Sequence, residues 1–271
     1  MKKLMLLSML SMFASCGGMG KMSLTAWGED YIEQEIPAAE FEDGHTVKFT
    51  KFLVVVNEFT LATKTGMSGP AQTKPILIDV HKAGPIELER LDDVPAQKWD
   101  AVSWAIMPSA DAVVVGDVSA DDAARMKNEG YSVWVEGTVS KGLVTKNFAW
   151  GFKGNTKYSD CSSEDLGEGV TIPTGGTEVV QLTIHGDHFF YDDLQSPDAK
   201  LRGDALVKAD ADLDGMVTMT ELNAVSLTTL PVGQYGTGGA SQVKSLGDFV
   251  TALSRTIGHF RGEGECVTTP R

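Results

Sequence analysis

The 271-residue chain sets 23 Lys and Arg against 37 Asp and Glu, a formal net charge of −14 that becomes −16 once Lys2 and Lys3 leave with a leader. A field of that sign repels nucleic acid and anionic headgroups and attracts cations, which excludes nucleic-acid binding. At 42% hydrophobic and 22% charged residues the chain can build a sizeable core in water, and no run of eighteen apolar residues offers a transmembrane helix.

Lys2 and Lys3 precede an apolar run from Leu4 to Phe13 that is too short to span a bilayer, so residues 1–16 read as an export signal. The sequence Phe13-Ala14-Ser15-Cys16 resembles the bacterial lipobox, with Phe13 where that family usually carries Leu. The resemblance implies that Cys16 is lipidated and becomes the mature N-terminus. It further implies an exported lipoprotein of the cell envelope, anchored by its lipid on the periplasmic face or the surface of the outer membrane, where an envelope protein could be its partner. Ordinary secretory cleavage after Ala14 or Ser15 is the alternative. Gly17, Gly18, Gly20 and Ser23 then read as a flexible tether over 17–26. With Cys16 carrying lipid, Cys161 and Cys266 remain as a disulfide pair in an oxidising compartment.

From about residue 45 to 190, within a β domain set at 27–190, the pattern is mostly period two, rich in β-branched and aromatic residues. Thr46–Leu61, Pro75–Val80, Lys98–Met107, Tyr131–Thr138, Leu143–Phe152 and Glu178–His185 read as strands, with a hairpin turn at Ser140-Lys141-Gly142. One helix, Ala120 to Asn128, starts after Ser119 and stops at Gly130. This spacing predicts a mainly β domain, an antiparallel sandwich or jelly roll. Residues 191–271 read as a helical segment. Ser196-Pro197-Asp198 opens a helix that runs to Ala209, and Gln242 to His259 carries a core-facing stripe of Val243, Leu246, Phe249, Val250, Leu253 and Ile257. The run Gly233–Gly239 lacks the Lys-Ser/Thr ending of a phosphate loop and reads as a loop only.

Residues 210–221 spell Asp-Ala-Asp-Leu-Asp-Gly-Met-Val-Thr-Met-Thr-Glu, which fills every demanding position of the twelve-residue EF-hand calcium loop. Asp210, Asp212 and Asp214 supply carboxylates, Gly215 the sharp turn, Met216 a carbonyl, Thr218 a hydroxyl or a held water, and Glu221 a bidentate carboxylate. Val217 is the apolar residue that pairs with a neighbouring loop. Four carboxylates suit a hard cation with six to eight oxygen ligands and disfavour copper or zinc. A short helix from Met219 to Val225 follows, and no second EF-hand loop occurs. The first reading of function is therefore a non-enzymatic, calcium-binding exported lipoprotein in which Ca2+ acts as a structural brace or forms a partner-facing module.

A second cluster, His185-Gly186-Asp187-His188, follows the last strand of the β region, and His259 lies at the end of the final helix. Two histidines three residues apart at a strand end can share a metal, with His259 or Asp187 completing a copper or zinc site. They could equally be hydrogen-bonding groups that fix a strand-to-helix corner. The β region together with these histidines is similar to periplasmic copper-binding β-sandwich proteins, in which histidines and a tryptophan of the N-terminal region cooperate. That resemblance implies a role for Trp27 and makes a copper or zinc protein using His185 and His188 the second reading. An unrecognised metal-dependent hydrolase at the same histidines is the third. Gly-x-Ser-x-Gly, His-Glu-x-x-His, Cys-x-x-Cys and dinucleotide fingerprints are all absent from the sequence.

Overall fold

A computed structural model describes residues 17–271, so the expected export signal and Cys16 lie outside the described residues. The tether expected over 17–26 is instead mostly strand: β1 (Met19–Trp27) buries Met22, Leu24 and Ala26 on one face. Its glycine and serine content hid a period-two pattern that is typical of a strand. A Cβ at Gly20 would fall 2.3 Å from the carbonyl oxygen of Pro173, so this glycine serves close backbone approach rather than freedom.

The other principal strands are β2 (Thr46–Ala62), β3 (Ile76–Asp79), β4 (Ile86–Pro95), β5 (Ala101–Ile106), β6 (Val133–Lys141), β7 (Val144–Phe152), β8 (Thr156–Ser159), β9 (Thr177–Ile184), β10 (Met216–Thr218), β11 (Gly258–Phe260) and β12 (Val267–Pro270). They form a four-stranded sheet in the order β11-β9-β1-β4 and a ten-stranded sheet whose main path runs β10-β7-β6-β2-β5-β8-β12. The chain is mainly β and sandwich-like, as its alternation predicts. It is not antiparallel throughout, because β1 runs parallel to β9 and β7 parallel to β10. Nor does the β region stop at residue 190, since β11 and β12 complete the edges of the two large sheets.

The helices are short: α1 (Glu29–Glu33), α2 (Ala120–Glu129), α3 (Asp204–Lys208), α4 (Met219–Ala224) and α5 (Leu246–Leu253). Among the described residues no helix is long and apolar enough to cross a membrane. The helix expected from Pro197 to Ala209 shrinks to α3. Asp193 Oδ1 accepts from the amides of Gln195 and Ser196, and Asp192 Oδ1 from that of Lys200, so side chains hold the preceding backbone in turns. The helix expected from Gln242 to His259 shrinks to α5, which a reciprocal Ser245–Asp248 cap starts. Its stripe does face the core, but beyond Ile257 the chain pairs with β9 and becomes β11.

Between the sheets lies an aromatic cluster. Phe152 stacks on Phe189 at 5.1 Å, Phe148 stacks on Trp150 at 4.5 Å, and Phe190 meets Phe41, Phe49, Phe148 and Trp150. Each buried ring contributes roughly 2–3 kcal/mol by leaving water. Phe189 and Phe190 belong to a 3-10 turn, Asp187–Phe190, so the core clamps the segment that carries His188. Cys161 and Cys266 form the expected disulfide, with their Cα atoms 4.1 Å apart across a span of 105 residues.

Candidate metal centre

The antiparallel pairing of β9 with β11 sets Thr183 opposite His259, and one step past β9 the amide of His185 donates to the carbonyl of Ile257. The 3-10 turn then folds His188 back toward both. Ring centroids of His185 and His259 are 4.2 Å apart, those of His188 and His259 5.0 Å, and those of His185 and His188 5.5 Å. One nitrogen from each ring falls within 4.8 Å of the others. Tetrahedral nitrogen ligands of zinc stand about 3.4 Å apart, so the triad needs only a small contraction to close on an ion.

Burial holds the His188 imidazole well below its ordinary pKa, and His259 and His185 beside it push the same way. His259 is lowered too, by burial first and then by His185. Both rings are therefore neutral at neutral pH, the form in which imidazole binds metal. Thr256 Oγ1 donates to the carbonyl of Leu253 and accepts from His188 Nδ1 at 2.8 Å, which leaves the Nε2 lone pair for an ion. His259 Nδ1 is buried with no hydrogen-bond partner among the described residues. A buried nitrogen without a partner is costly in a core unless something else satisfies it.

A polar cavity of about 490 Å³ opens beside His185, and Glu29, Asp187 and Glu263 line it. Glu29 carries no sequence signal for this place; it arrives there because β1 runs alongside β9 and α1 starts next to the end of that strand. Asp187, noted in the sequence as a potential ligand, is raised above the usual carboxylate range by burial, and its Oδ2 accepts from the Tyr191 hydroxyl at 2.9 Å. Burial likewise raises Glu29, with His185 opposing. Trp27 ends β1 with its indole N–H donating to Glu33 at 2.7 Å, so its polar group already has a partner.

The loop 210–221 takes the turn the sequence requires, with Gly215 at a φ of +87°. Donor oxygens of Asp210, Asp212 and Glu221 lie within 4.8 Å of one another. Asp214 is not among them; its Oδ1 accepts from the amide of Met216 at 2.7 Å. Thr218 and Glu221 form a reciprocal cap at the start of α4, which engages the Thr218 hydroxyl and the Glu221 carboxylate. Met216 opens β10, and Val217 sits opposite Phe148 in the β7–β10 pair, so the main sheet takes the place expected for a second EF-hand loop. Trp150 Nε1 donates to the Val217 carbonyl at 2.9 Å. Lys146 Nζ reaches Asp210 Oδ2 at 2.5 Å and, with the Gly215 amide, holds that carboxyl below its usual range. Asp210 Oδ1 is buried with no hydrogen-bond partner among the described residues.

No family model and no curated protein matches the chain. A solved structure, MbnP from Methylosinus trichosporium, is similar to it at a TM-score of 0.38 and 10% identity, covering 66% of this chain and 85% of that one.

Proposed function

We propose that this protein is a non-enzymatic metal-binding protein that holds a copper or zinc ion at His185, His188 and His259. The observation that carries this reading is three imidazoles, two buried and one partly buried, converging beside a cavity, one of them with a buried nitrogen that has no hydrogen-bond partner among the described residues. Three imidazole donors with an accessible fourth position suit zinc and copper, and copper wins where both are equally available. An exported lipoprotein anchored through Cys16 remains part of the reading, and the Cys161–Cys266 bridge supports an oxidising compartment. Purified protein titrated with copper and with zinc against a chromophoric chelator should bind one ion tightly, and His188→Ala should lose that binding. Uptake of neither metal at micromolar concentration would end this reading.

A second metal is favoured by Asp210 Oδ1. That oxygen, turned into the loop beside Asp212 and Glu221, supports a calcium ion at 210–221 acting as a brace on the edge of the large sheet. Millimolar calcium should then raise the melting temperature, and magnesium should do so less. An unchanged melting temperature together with no heat of binding would remove calcium from the account.

A further inference from the structure

His185 joins His188 and His259, and both of its ring nitrogens also approach carboxylates that line the cavity. Its Nε2 lies 3.6 Å from Glu29 Oε2, and its Nδ1 lies 3.8 Å from Glu263 Oε2 and 3.9 Å from Asp187 Oδ1. These separations exceed hydrogen-bond reach, so the carboxylates do not orient the ring directly. Donor atoms of Glu29, His185 and Glu263 nevertheless fall within 4.8 Å of one another, close enough for a small ion to bind all three.

Two further observations point to a cation. Asp187 is only 8% exposed, and its Oδ1, turned toward His185, has no hydrogen-bond partner among the described residues. Three of the other buried acids meet cations, Asp210 with Lys146, Asp122 with Lys51 and Asp192 with Arg202, and Asp79 accepts from the backbone amides of Phe52 and His81. Glu29, Asp187 and Glu263 have no Lys or Arg within 4 Å among the described residues. Lys200 lines the same cavity without pairing with them. Three carboxylates around one imidazole, in a concave and partly dehydrated place, whose charge the protein's own lysines and arginines leave unneutralised, attract a divalent ion.

We propose that Glu29, Asp187 and Glu263, with His185, form a second cation position outside the histidine triad, where an arriving divalent ion is held chiefly by oxygen before His185 passes it inward. Oxygen donors with a single imidazole suit a borderline divalent cation such as Zn2+. Because His185 belongs to both sets, the two positions are successive stations for one ion. The passage inward rests on the triad reading; the outer position does not.

Zinc itself is the probe. A His188→Ala/His259→Ala variant keeps the outer position and loses the triad, and calorimetry should show one Zn2+ bound in the micromolar range. Adding Glu29→Gln and Glu263→Gln to that variant should abolish the binding. In the otherwise unmutated protein, Glu29→Gln/Glu263→Gln should slow Zn2+ association about tenfold in stopped flow, since clustered charge of this kind raises cation capture by that order. Both glutamates reach solvent, with side chains 20% and 66% exposed, so this variant should fold even if the histidine variant does not. Zinc binding that survives both Glu→Gln changes in the triad-deleted protein, or an unaltered association rate, overturns the outer position. Copper bound at the triad would stand in either case, and a triad that binds nothing while the triad-deleted protein still takes zinc would overturn the other reading alone.

Discussion

The loop 210–221 and the histidine triad both gather donors within 4.8 Å, yet the loop draws its donors from neighbouring residues and the triad from strand ends as distant as His185 and His259. The loop is rich in oxygen and negative charge and sits at a sheet edge, where Lys146 already offers it one positive charge. The triad is nitrogen-rich, its His188 and His259 rings are held below their ordinary pKa by burial, and it is fixed by Phe189 and Phe190 in the central aromatic cluster. A loop can bring its ligands with it and order them on binding, whereas the triad exists only when two strands and a 3-10 turn have packed. Hardness of the donors separates the expected metals, and the depth of the support separates their dependence on the fold.

Both sites lie inside the span closed by the disulfide, so the largest expected effect falls on them together. Replacing the bridge by Cys161→Ala/Cys266→Ala removes a closure over 105 residues and should cost roughly 4–5 kcal/mol. In a chain of this size that is a fall in melting temperature of about 10–20 °C, read by calorimetry. A drop of only a degree or two would mean that the two sheets hold these segments without it.

The next experiment should divide the two sites. Thr256→Val keeps the shape but removes the oxygen that accepts from His188 Nδ1, and should weaken copper or zinc binding by roughly 10–100-fold while calcium binding is unchanged. Glu221→Gln should do the reverse, weakening calcium on the order of tenfold or more and sparing the triad. Either substitution acting equally on both metals would dissolve the distinction drawn here.

A smaller effect tests the Lys146 ammonium as the loop's internal counter-ion. Lys146→Met leaves Asp210 with less competition for an incoming ion, so calcium affinity should rise a few-fold in calorimetry while the metal-free protein melts earlier. Unchanged calcium affinity would show that the lysine does not compete. Smallest of all is Thr218→Ala. The sequence makes Thr218 a marginal calcium ligand, but the structure makes it the cap of α4, so the loss should be about 1 kcal/mol of stability with or without calcium. A loss seen only with calcium present would return Thr218 to the ligand set.

What could be read in the sequence follows the same division. Strand alternation, the Ser119-to-Gly130 helix, the hairpin at Gly142 and the cysteine pairing are local or nearly forced, and all are found in the fold. The loop's outline is equally local, but the pairing of Val217 with β7 and the role of Lys146 depend on a strand that lies far away in sequence. The triad was half legible, with His185 and His188 adjacent and His259 one of two candidates. The register of β9 against β11 is what brings His259 beside them. Glu29 was illegible, because β1 was disguised by its glycines and only its place beside β9 brings α1 to the cavity. The two C-terminal helices were overextended because an amphipathic stripe does not say where strand pairing or an aspartate turn will take the backbone instead.

The ring closed by Cys161 and Cys266 also bears on when the metal donors can first find one another. All three histidines of the triad and every carboxylate of the loop fall between those cysteines, whereas Glu29 lies outside. In an unfolded chain that is already oxidised, the donors share one closed ring, so their mutual concentration is set by the ring's size rather than by the whole chain. A reduced chain lacks that confinement and scatters the same donors along an open coil. A bridge that closes before the sheets form therefore gathers these donors ahead of the strand pairing that sets His259 opposite Thr183.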